Sequence, residues 1–295
     1  MLLGLLVSHY QSQQYDLLWT MVNVKQGSQG DAHVIQAKNG KTVLIDAGFK
    51  ANADTNLIGY LKKNNIQSFD YVFISHPHKD HYEGLLSLLE NNISIHNIIF
   101  NVPPREICDP EIPWGCDYNN ILYMHSLLKE QGAAIPQGKA EQNFDLGNNV
   151  TLKILYAFDA INTPVGKTDI NDLSLVMKLE VAGKSVLFTG DLNNKIGTWL
   201  AQNGKNLQAD ILKVPHHGTE GLAPNSFFDV VAAKYALVPS PTWLWCSARS
   251  SRSKNYFLDK NIPVFISGFH GNVQVKFQNG NFSILAENKT PDICM

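Results

Sequence analysis

The sequence has little charge, and neither sign dominates. Lys, Arg, Asp and Glu make up 17% of its 295 residues and leave a formal net charge of −2. An average soluble domain carries roughly one quarter charged residues. A broad basic surface for nucleic acid is therefore excluded, and any such contact must come from a local patch. No stretch approaches the roughly 20 apolar residues of a membrane-spanning helix, so no such span is expected.

Cysteine is also scarce. The four cysteines, Cys108, Cys116, Cys246 and Cys294, form no Cys-x-x-Cys metal pattern. Cys108 and Cys116 flank a loop that a disulfide could close, but four cysteines permit three pairings and the sequence does not choose among them. The even count, the low charge and the apolar residues 1–7 slightly favour a periplasmic or secreted location over a cytoplasmic one.

The remaining pattern predicts one α/β domain. Hydrophobic residues make up 44% of the chain, enough for a sizeable core. Strand and helix patterns alternate in two similar halves, with Asn39-Gly40 as a hairpin turn and residues 173–181 as a strand. No Ser/Gly/Pro-rich linker separates the halves. We therefore expect a leader or tail at residues 1–16 and a single domain at 17–295.

Four metal-binding side chains lie within six residues. His76, His78, Asp80 and His81 follow residues 71–74, an apolar run that predicts a buried strand. Ligands in open α/β sheets bind beyond the carboxyl ends of strands. In an extended segment His76 and His78 face one side, while Asp80 and His81 enter the next turn, so each pair could face a different metal ion. The alternative is a His-rich surface loop.

This His-x-His-x-Asp-His pattern resembles the signature of the metallo-β-lactamase superfamily. Further pieces of that pattern occur in order at residues 44–48, 187–191 and 213–218. Residues 29–32, residues 171–176 and the His-His-Gly ending are most similar to the soluble domain of bacterial competence (DNA-uptake) proteins, a branch implicated in degrading DNA. The resemblance implies a four-layer αβ/βα sandwich of two mixed sheets with outer helices.

The resemblance also implies a binuclear metal site, with Zn²⁺ expected and Mn²⁺ as the alternative. His76 and His78 would hold the first ion. Asp80, His81 and His217 would hold the second ion. Asp191 would bridge the two ions. His216 is the alternative to His217. Asp46 would orient a ligand histidine, and Asp31 would either support a ligand or form a turn.

The sequence departs from the family at the first ion. Many members supply a third histidine there, whereas this chain has Asn171 and Asp172. Either residue could stand in and make an oxygen-richer site that favours Mn²⁺ somewhat. Alternatively the first ion binds weakly or not at all, and both residues are turn formers.

The expected activity is hydrolysis by a metal-bridging hydroxide, with a small-molecule or nucleic-acid phosphodiester as substrate. Asp80 would accept a proton, and His216 would protonate the leaving group. Arg249 and Arg252 could grip a phosphate, and Trp243 or Trp245 could stack on a base, unless this loop is a plain surface loop with its tryptophans in the core.

Two other functions remain open on the sequence alone. One is hydrolysis of a lactone, a β-lactam or another acyl group, since the same hydroxide attacks carbonyls. The other is a catalytically silent binding protein of the same fold.

The proline-rich residues 102–118 are predicted to form a substrate wall. No oligomeric state is predicted.

Overall fold

The computed structural model describes residues 15–23, 28–111, 115–158, 163–289 and 294. The predicted leader or tail at 1–16 lies outside this part except for its last two residues. Within the described residues, two seven-stranded sheets pack face to face. No helix in these ranges is long and apolar enough to cross a bilayer.

The first sheet combines an antiparallel and a parallel half. Its strands, in spatial order, are β14 (Asn281–Ala286), β13 (Val273–Gln278), β1 (Leu17–Met21), β2 (Ala32–Ala37), β3 (Thr42–Ala47), β4 (Ser68–Ile74) and β5 (Ser94–Phe100). Strands β14 to β3 pair antiparallel, whereas β3, β4 and β5 run parallel. The predicted hairpin joins β2 to β3, with Asn39 at a φ of +51°.

The second sheet repeats this division. Its strands, in spatial order, are β12 (Val264–Ile266), β11 (Tyr235–Val238), β10 (Ile211–Lys213), β9 (Lys184–Phe188), β8 (Val176–Val181), β7 (Val150–Tyr156) and β6 (Asn143–Gly147). Strands β12 to β9 run parallel, and β9 to β6 pair antiparallel. The strand predicted at 173–181 begins only at Val176, because Asn171–Leu173 forms a 3-10 turn.

Helices cover the outer faces of both sheets. They are α1 (Lys50–Asn52), α2 (Ile58–Lys63), α3 (Lys79–Tyr82), α4 (Leu85–Glu90), α5 (Arg105–Cys108), α6 (Tyr118–Glu130), α7 (Asn194–Asn203), α8 (Asn225–Val231), α9 (Thr242–Trp245), α10 (Ser251–Asp259) and α11 (Ser267–His270). A π-helical turn, Ala53–Leu57, joins α1 to α2. Further 3-10 turns are Asp109–Glu111 and Ala248–Ser250. Pro215–Gly218 forms a turn whose two central residues have left-handed backbone angles.

Three hydrophobic layers hold these elements together. Trp19, Phe73 and Phe188 lie in the layer between the two sheets. Tyr82 belongs to the layer between the first sheet and its helices, and Phe227 to the corresponding layer on the second sheet. The resulting order of helices, sheet, sheet and helices confirms the predicted four-layer sandwich.

Two disulfides settle the pairing that the sequence left open. Cys108 bonds to Cys116, and Cys246 bonds to Cys294. Cys108 and Cys116 are both fully buried, so the first disulfide closes its loop inside the outer layer of the first sheet.

Candidate metal centre

The parallel strands of both sheets end at the same edge of the sandwich, where buried polar side chains meet. Asp46 lies near the end of β3, and His76 follows β4. Asp191 follows β9, and His217 follows β10. None of these four residues exceeds 1% exposure. Ionised side chains persist at such depth only when they are paired or bind a metal.

Three predicted ligands converge around Asp191. Its Oδ2 lies 3.3 Å from His81 Nε2 and 3.2 Å from His217 Nε2. His217 Nε2 is also 3.3 Å from Asp80 Oδ2. His81 Nε2 and Asp191 Oδ1 are buried without a hydrogen-bond partner in the described part of the chain. Imidazole and carboxylate donors in this arrangement fit one divalent ion.

A second pair of donors lies next to this group. His76 Nε2 and His78 Nδ1 face each other at 3.1 Å, and His76 Nδ1 is 3.1 Å from Ser75 Oγ. Asn171 Oδ1 is buried without a hydrogen-bond partner among the described residues, and Asn171 lines the same cleft as His78. The side chains of His76, His78 and Asn171 fit the predicted first ion.

Asp172, the other residue considered for the first ion, has a different place. Its Oδ1 accepts hydrogen bonds from the backbone N–H groups of Asn193 and Ile196, at 2.9 and 3.3 Å. Its Oδ2 accepts one from Thr168 at 2.7 Å. Burial raises the pKa of Asp172 to about 6. The carboxylate is thus occupied at the start of α7, which leaves Asn171 at the cleft.

Asp46 holds His81 from outside the centre, in the position expected for a residue that orients a ligand histidine. Its Oδ2 accepts a hydrogen bond from His81 Nδ1 at 2.9 Å, and its Oδ1 accepts one from the Ser75 N–H at 2.7 Å. Because Nδ1 is occupied, His81 presents Nε2 to the centre.

Asp31 and Lys213 form a buried ion pair behind the centre. The Asp31 carboxylate contacts Lys213 Nζ, and its Oδ1 lies 3.2 Å from His217 Nδ1. Lys213 Nζ donates to the Gly190 carbonyl at 2.7 Å and is 3.7 Å from Asp191 Oδ1. Ligand atoms of Asp31, His81, Asp191 and His217 all lie within 4.8 Å of one another, a group that could hold a metal ion.

Sequence reasoning gave Lys213 no role. The available signal was a lysine between apolar residues, at the end of the strand that precedes the His-His-Gly motif. Such a side chain can be buried only if a carboxylate neutralises it. The partner, Asp31, is 182 residues away along the chain, so the sequence alone did not identify it.

Burial and the neighbouring charges shift the pKa values of the histidines in opposite directions. Burial alone would lower the pKa of His81, but Asp191, Asp46 and Asp80 raise it well above its usual range. The pKa of His217 is raised for the same reason, mainly by Asp191. Burial and the neighbouring charges of His81 and His78 lower the pKa of His76 well below its usual range.

Asp80 remains ionised next to these histidines. Burial would raise its pKa, but His81 and His217 lower it far below the ordinary range of an aspartate. Its Oδ2 also accepts a hydrogen bond from Gln29 Nε2 at 3.0 Å. A carboxylate with so low a pKa is better suited to bind a cation than to accept a proton.

Unusual backbone angles place the ligands. His216 and His217 have φ angles of +49° and +52°, a left-handed conformation that costs non-glycine residues energy and tends to occur at functional sites. Gly190 has a φ of +49°, and a Cβ there would lie 2.6 Å from Ser174 Oγ. The same Ser174 Oγ accepts a hydrogen bond from the Asp191 N–H at 2.9 Å. Glycine at 190 is thus required to bring Asp191 into the centre.

The centre opens into a cleft of about 470 Å³, which we call the metal cleft. Its walls are formed by Ser28, Gln29, Phe49, His78, Asp80, Glu111, Asn171, Asp191, His216 and Trp243. Trp243 is 49% exposed, and His216 Nδ1 is buried without a hydrogen-bond partner among the described residues. The predicted substrate wall, residues 102–118, contributes Glu111.

The two predicted phosphate-binding arginines are not among the residues that line the metal cleft. Arg249 donates to Glu220 at 2.7 Å on the surface. Arg252 donates to Asn225 Oδ1 and to the carbonyls of Leu222 and Ala223, at 2.7 to 2.8 Å. Trp245 is buried, at 2% exposure, so Trp243 is the tryptophan of this loop that reaches the cleft.

Comparison with known proteins agrees with this geometry. A family model described as the metallo-beta-lactamase superfamily matches residues 26–93, the segment with Asp31, Asp46 and the His76–His81 turn. The crystal structure of the metallo-beta-lactamase fold protein YhfI from Bacillus subtilis has a TM-score of 0.52 and 14% identity, covering 85% of this chain and 96% of that one. Residues 26–93 thus match the metallo-β-lactamase superfamily, and the chain has the metallo-β-lactamase fold.

The chain also has distant similarity to competence proteins. ComE operon protein 3 of Bacillus subtilis (strain 168) is 23% identical over 283 residues, covering 90% of this chain and 34% of that protein. Competence protein ComA of Neisseria gonorrhoeae is 24% identical over 220 residues, covering 74% of this chain and 27% of that protein. The chain thus spans 34% or less of the length of these two relatives.

Proposed function

We propose that this protein is a binuclear metal-dependent phosphodiesterase that cleaves a nucleic-acid strand. One observation carries the proposal. In the part of the chain that the structure describes, potential metal-ligating atoms of His81, Asp191 and Asn171 are buried without hydrogen-bond partners, and they lie beside an open cleft with an exposed tryptophan. Buried polar atoms without a hydrogen-bond partner lower the stability of a protein unless a ligand binds them.

The donor set suits two divalent ions. His76, His78 and Asn171 would hold the first ion, Asp80, His81 and His217 the second, and Asp191 both. Zn²⁺ is the first expectation, and the amide oxygen of Asn171 favours Mn²⁺ as the alternative. When bound, such ions supply an activated water at neutral pH and neutralise charge on a phosphate oxygen.

The chain's own side chains would position the substrate. Trp243 and Phe49, both on the walls of the metal cleft, offer faces on which a base can stack. His216 lies at the same wall, and its Nδ1 has no hydrogen-bond partner within the described ranges. We assign this residue to the leaving-group oxygen. Burial lowers the pKa of His216, so its ring is neutral at pH 7 and would act there as a hydrogen-bond donor.

Similarity to the two competence proteins supports nucleic acid over a lactone or β-lactam as the substrate. The two disulfides support a periplasmic or secreted location. Alkylation of protein extracted under acid would then detect no free thiol, whereas full alkylation would contradict this location.

A substrate panel tests the proposal. Wild-type protein and Asp191→Ala, each with added Mn²⁺ or Zn²⁺, are assayed on bis-p-nitrophenyl phosphate, single-stranded DNA, nitrocefin and a simple lactone. We expect the wild type to cleave the first two substrates and Asp191→Ala to lose at least 100-fold in rate, the order seen when one charge-stabilising group is removed. Cleavage of nitrocefin or the lactone alone would overturn the substrate class. Cleavage of none would leave a silent binding protein.

A further inference from the structure

A second cleft opens beside the metal centre. It has a volume of about 560 Å³. Ile74, the last residue of β4, pairs with Phe100 at the end of β5. Adjacent strands are about 4.8 Å apart, so this cleft begins one strand away from His76. Its walls are formed by Phe100, Asn101, Val102, Pro103, Pro104, Tyr118, Leu122, His125, Lys129, Ile135, Pro136, Gln137 and Phe158.

The walls of the second cleft suit a planar apolar group. Phe100, Tyr118 and Phe158 provide rings, and Pro103 and Pro104 provide flat aliphatic surfaces. The Phe100 ring packs edge-on against His125, with centroids 5.2 Å apart, so this wall is held in place. Aromatic walls of this kind bind nucleobases with little dependence on sequence.

Polar groups in the second cleft add a preference for an anion. His125 Nε2 is buried without a hydrogen-bond partner in the described ranges. Lys129 lies one helical turn further along α6. The described residues that line the cleft include no Asp or Glu. A ring with a hydrogen-bonding edge and an attached phosphate matches this combination better than a neutral peptide does.

One loop separates the two clefts. Residues 102–104 line the second cleft, and Glu111 lines the metal cleft. The first disulfide, Cys108–Cys116, closes the part of this loop that contains Glu111. A short, cross-linked segment of chain therefore joins the residues that line the two clefts.

We propose that the second cleft is a subsite for a nucleotide of a single-stranded substrate, at a distance from the bond that is cleaved. This inference rests on the proposed phosphodiesterase function. The base would stack against Tyr118 and bond to His125 Nε2, and its phosphate would pair with Lys129. The subsite would add affinity for an oligonucleotide and none for a small diester.

Kinetics on two substrates test the subsite. Tyr118→Leu and Lys129→Ala are compared with wild type on bis-p-nitrophenyl phosphate and on a single-stranded 12-mer oligonucleotide, with Lys63→Ala on α2 as an exposed-lysine control. We expect each subsite variant to raise KM for the oligonucleotide by about 5-fold or more, the low end of what loss of one stacked base causes. Lys129→Ala should also reduce the salt dependence of KM. Rates on bis-p-nitrophenyl phosphate and all rates of Lys63→Ala should not change.

The two hypotheses fail in different ways. If wild type does not cleave bis-p-nitrophenyl phosphate, the proposed function is wrong. If wild type cleaves both substrates and the variants keep the wild-type KM for the oligonucleotide, the subsite is wrong. An equal loss on both substrates would show a general structural effect and would also refute the subsite.

Discussion

Lys213 shows how a single buried residue stabilises the metal centre. Its ammonium contacts Asp31 and lies 3.7 Å from Asp191 Oδ1, at 1% exposure. Lys213→Met would remove this ammonium group from beside the two carboxylates. We expect the free energy of unfolding, measured by urea titration in the presence of a chelator, to fall by about 3–5 kcal/mol.

Lys234→Met is the matched control for Lys213→Met. Lys234 forms an ion pair with Asp210 at 2.8 Å, but its side chain is 67% exposed. Solvent screens such pairs, so little change in stability is expected. If both variants unfold at the wild-type urea concentration, Lys213 does not stabilise the centre as described.

Asp46 acts through another residue, His81. Asp46→Ala would free His81 Nδ1 and allow the ring to turn away from the centre. Loss of such an outer hydrogen bond typically weakens metal affinity 10- to 100-fold, and we expect that range for Zn²⁺ in competition with a chelating dye. Asp70→Ala is the control, because Asp70 accepts bonds from Lys41 and Thr42 away from the centre. Wild-type affinity of Asp46→Ala would contradict the role of this aspartate.

At this scale, the sequence predicted the residues whose chemistry is local. His76, His78, Asp80 and His81 are almost contiguous, so one turn of chain carries the signal. Roles that depend on distant partners were not predictable. The capping role of Asp172 requires Asn193, and the burial of Lys213 requires Asp31. No local pattern encodes these contacts.

The turn between α3 and α4 packs tightly against the first sheet. A Cβ on Gly84 would lie 2.1 Å from the carbonyl oxygen of Ala47, whereas a Cβ on Gly59 in α2 would meet no atom within 4 Å. Gly84→Ala should therefore lower the free energy of unfolding by about 1–3 kcal/mol or more. Gly59→Ala should raise it by about 0.5–1 kcal/mol. Thermal unfolding of the two variants measures both, and a neutral Gly84→Ala would refute this packing.

The first disulfide braces the ligand-bearing turn. Gly115, next to Cys116, packs against His78 and Lys79, since a Cβ there would lie 3.1 Å from the Lys79 nitrogen. Replacing Cys108 and Cys116 by serine should cost about 2–3 kcal/mol of stability for a loop of this length. It should also weaken binding of the first ion.

The second disulfide provides the control. Metal affinity of both double variants is measured by competition for Zn²⁺ with a chelating dye. Replacing Cys246 and Cys294 by serine should leave this affinity unchanged, because that disulfide contributes no residue to the turn. Equal loss of metal from both double variants would show that the first disulfide has no special effect on the centre.

Element boundaries were predicted well where the pattern was local. The strand at 71–74 and the Asn39-Gly40 hairpin are present. The strand predicted from 173 begins at Val176, because tertiary contacts hold the preceding residues in a 3-10 turn. Ser174 bonds to Asp191, which is 17 residues away. Such long-range bonds override the local preference for an extended chain.

Over the whole molecule, the family resemblance predicted the four layers, but strand order could not be derived from the sequence. Strand β1 pairs with β13, so Leu17 lies opposite Phe277. This pairing joins parts of the chain more than 250 residues apart. Hydrophobic alternation shows that each strand has a buried face, but it does not identify the neighbour.

The most direct test of the account is anomalous diffraction from crystals of Mn²⁺-loaded protein. We predict two anomalous peaks, one beside His76 and His78 and the other beside Asp80, His81 and His217, about 3.5–4 Å apart as in known two-metal sites. Asp191 should lie between them. A map without a peak at this edge of the sandwich, or with ions bound only elsewhere, would contradict the central claim.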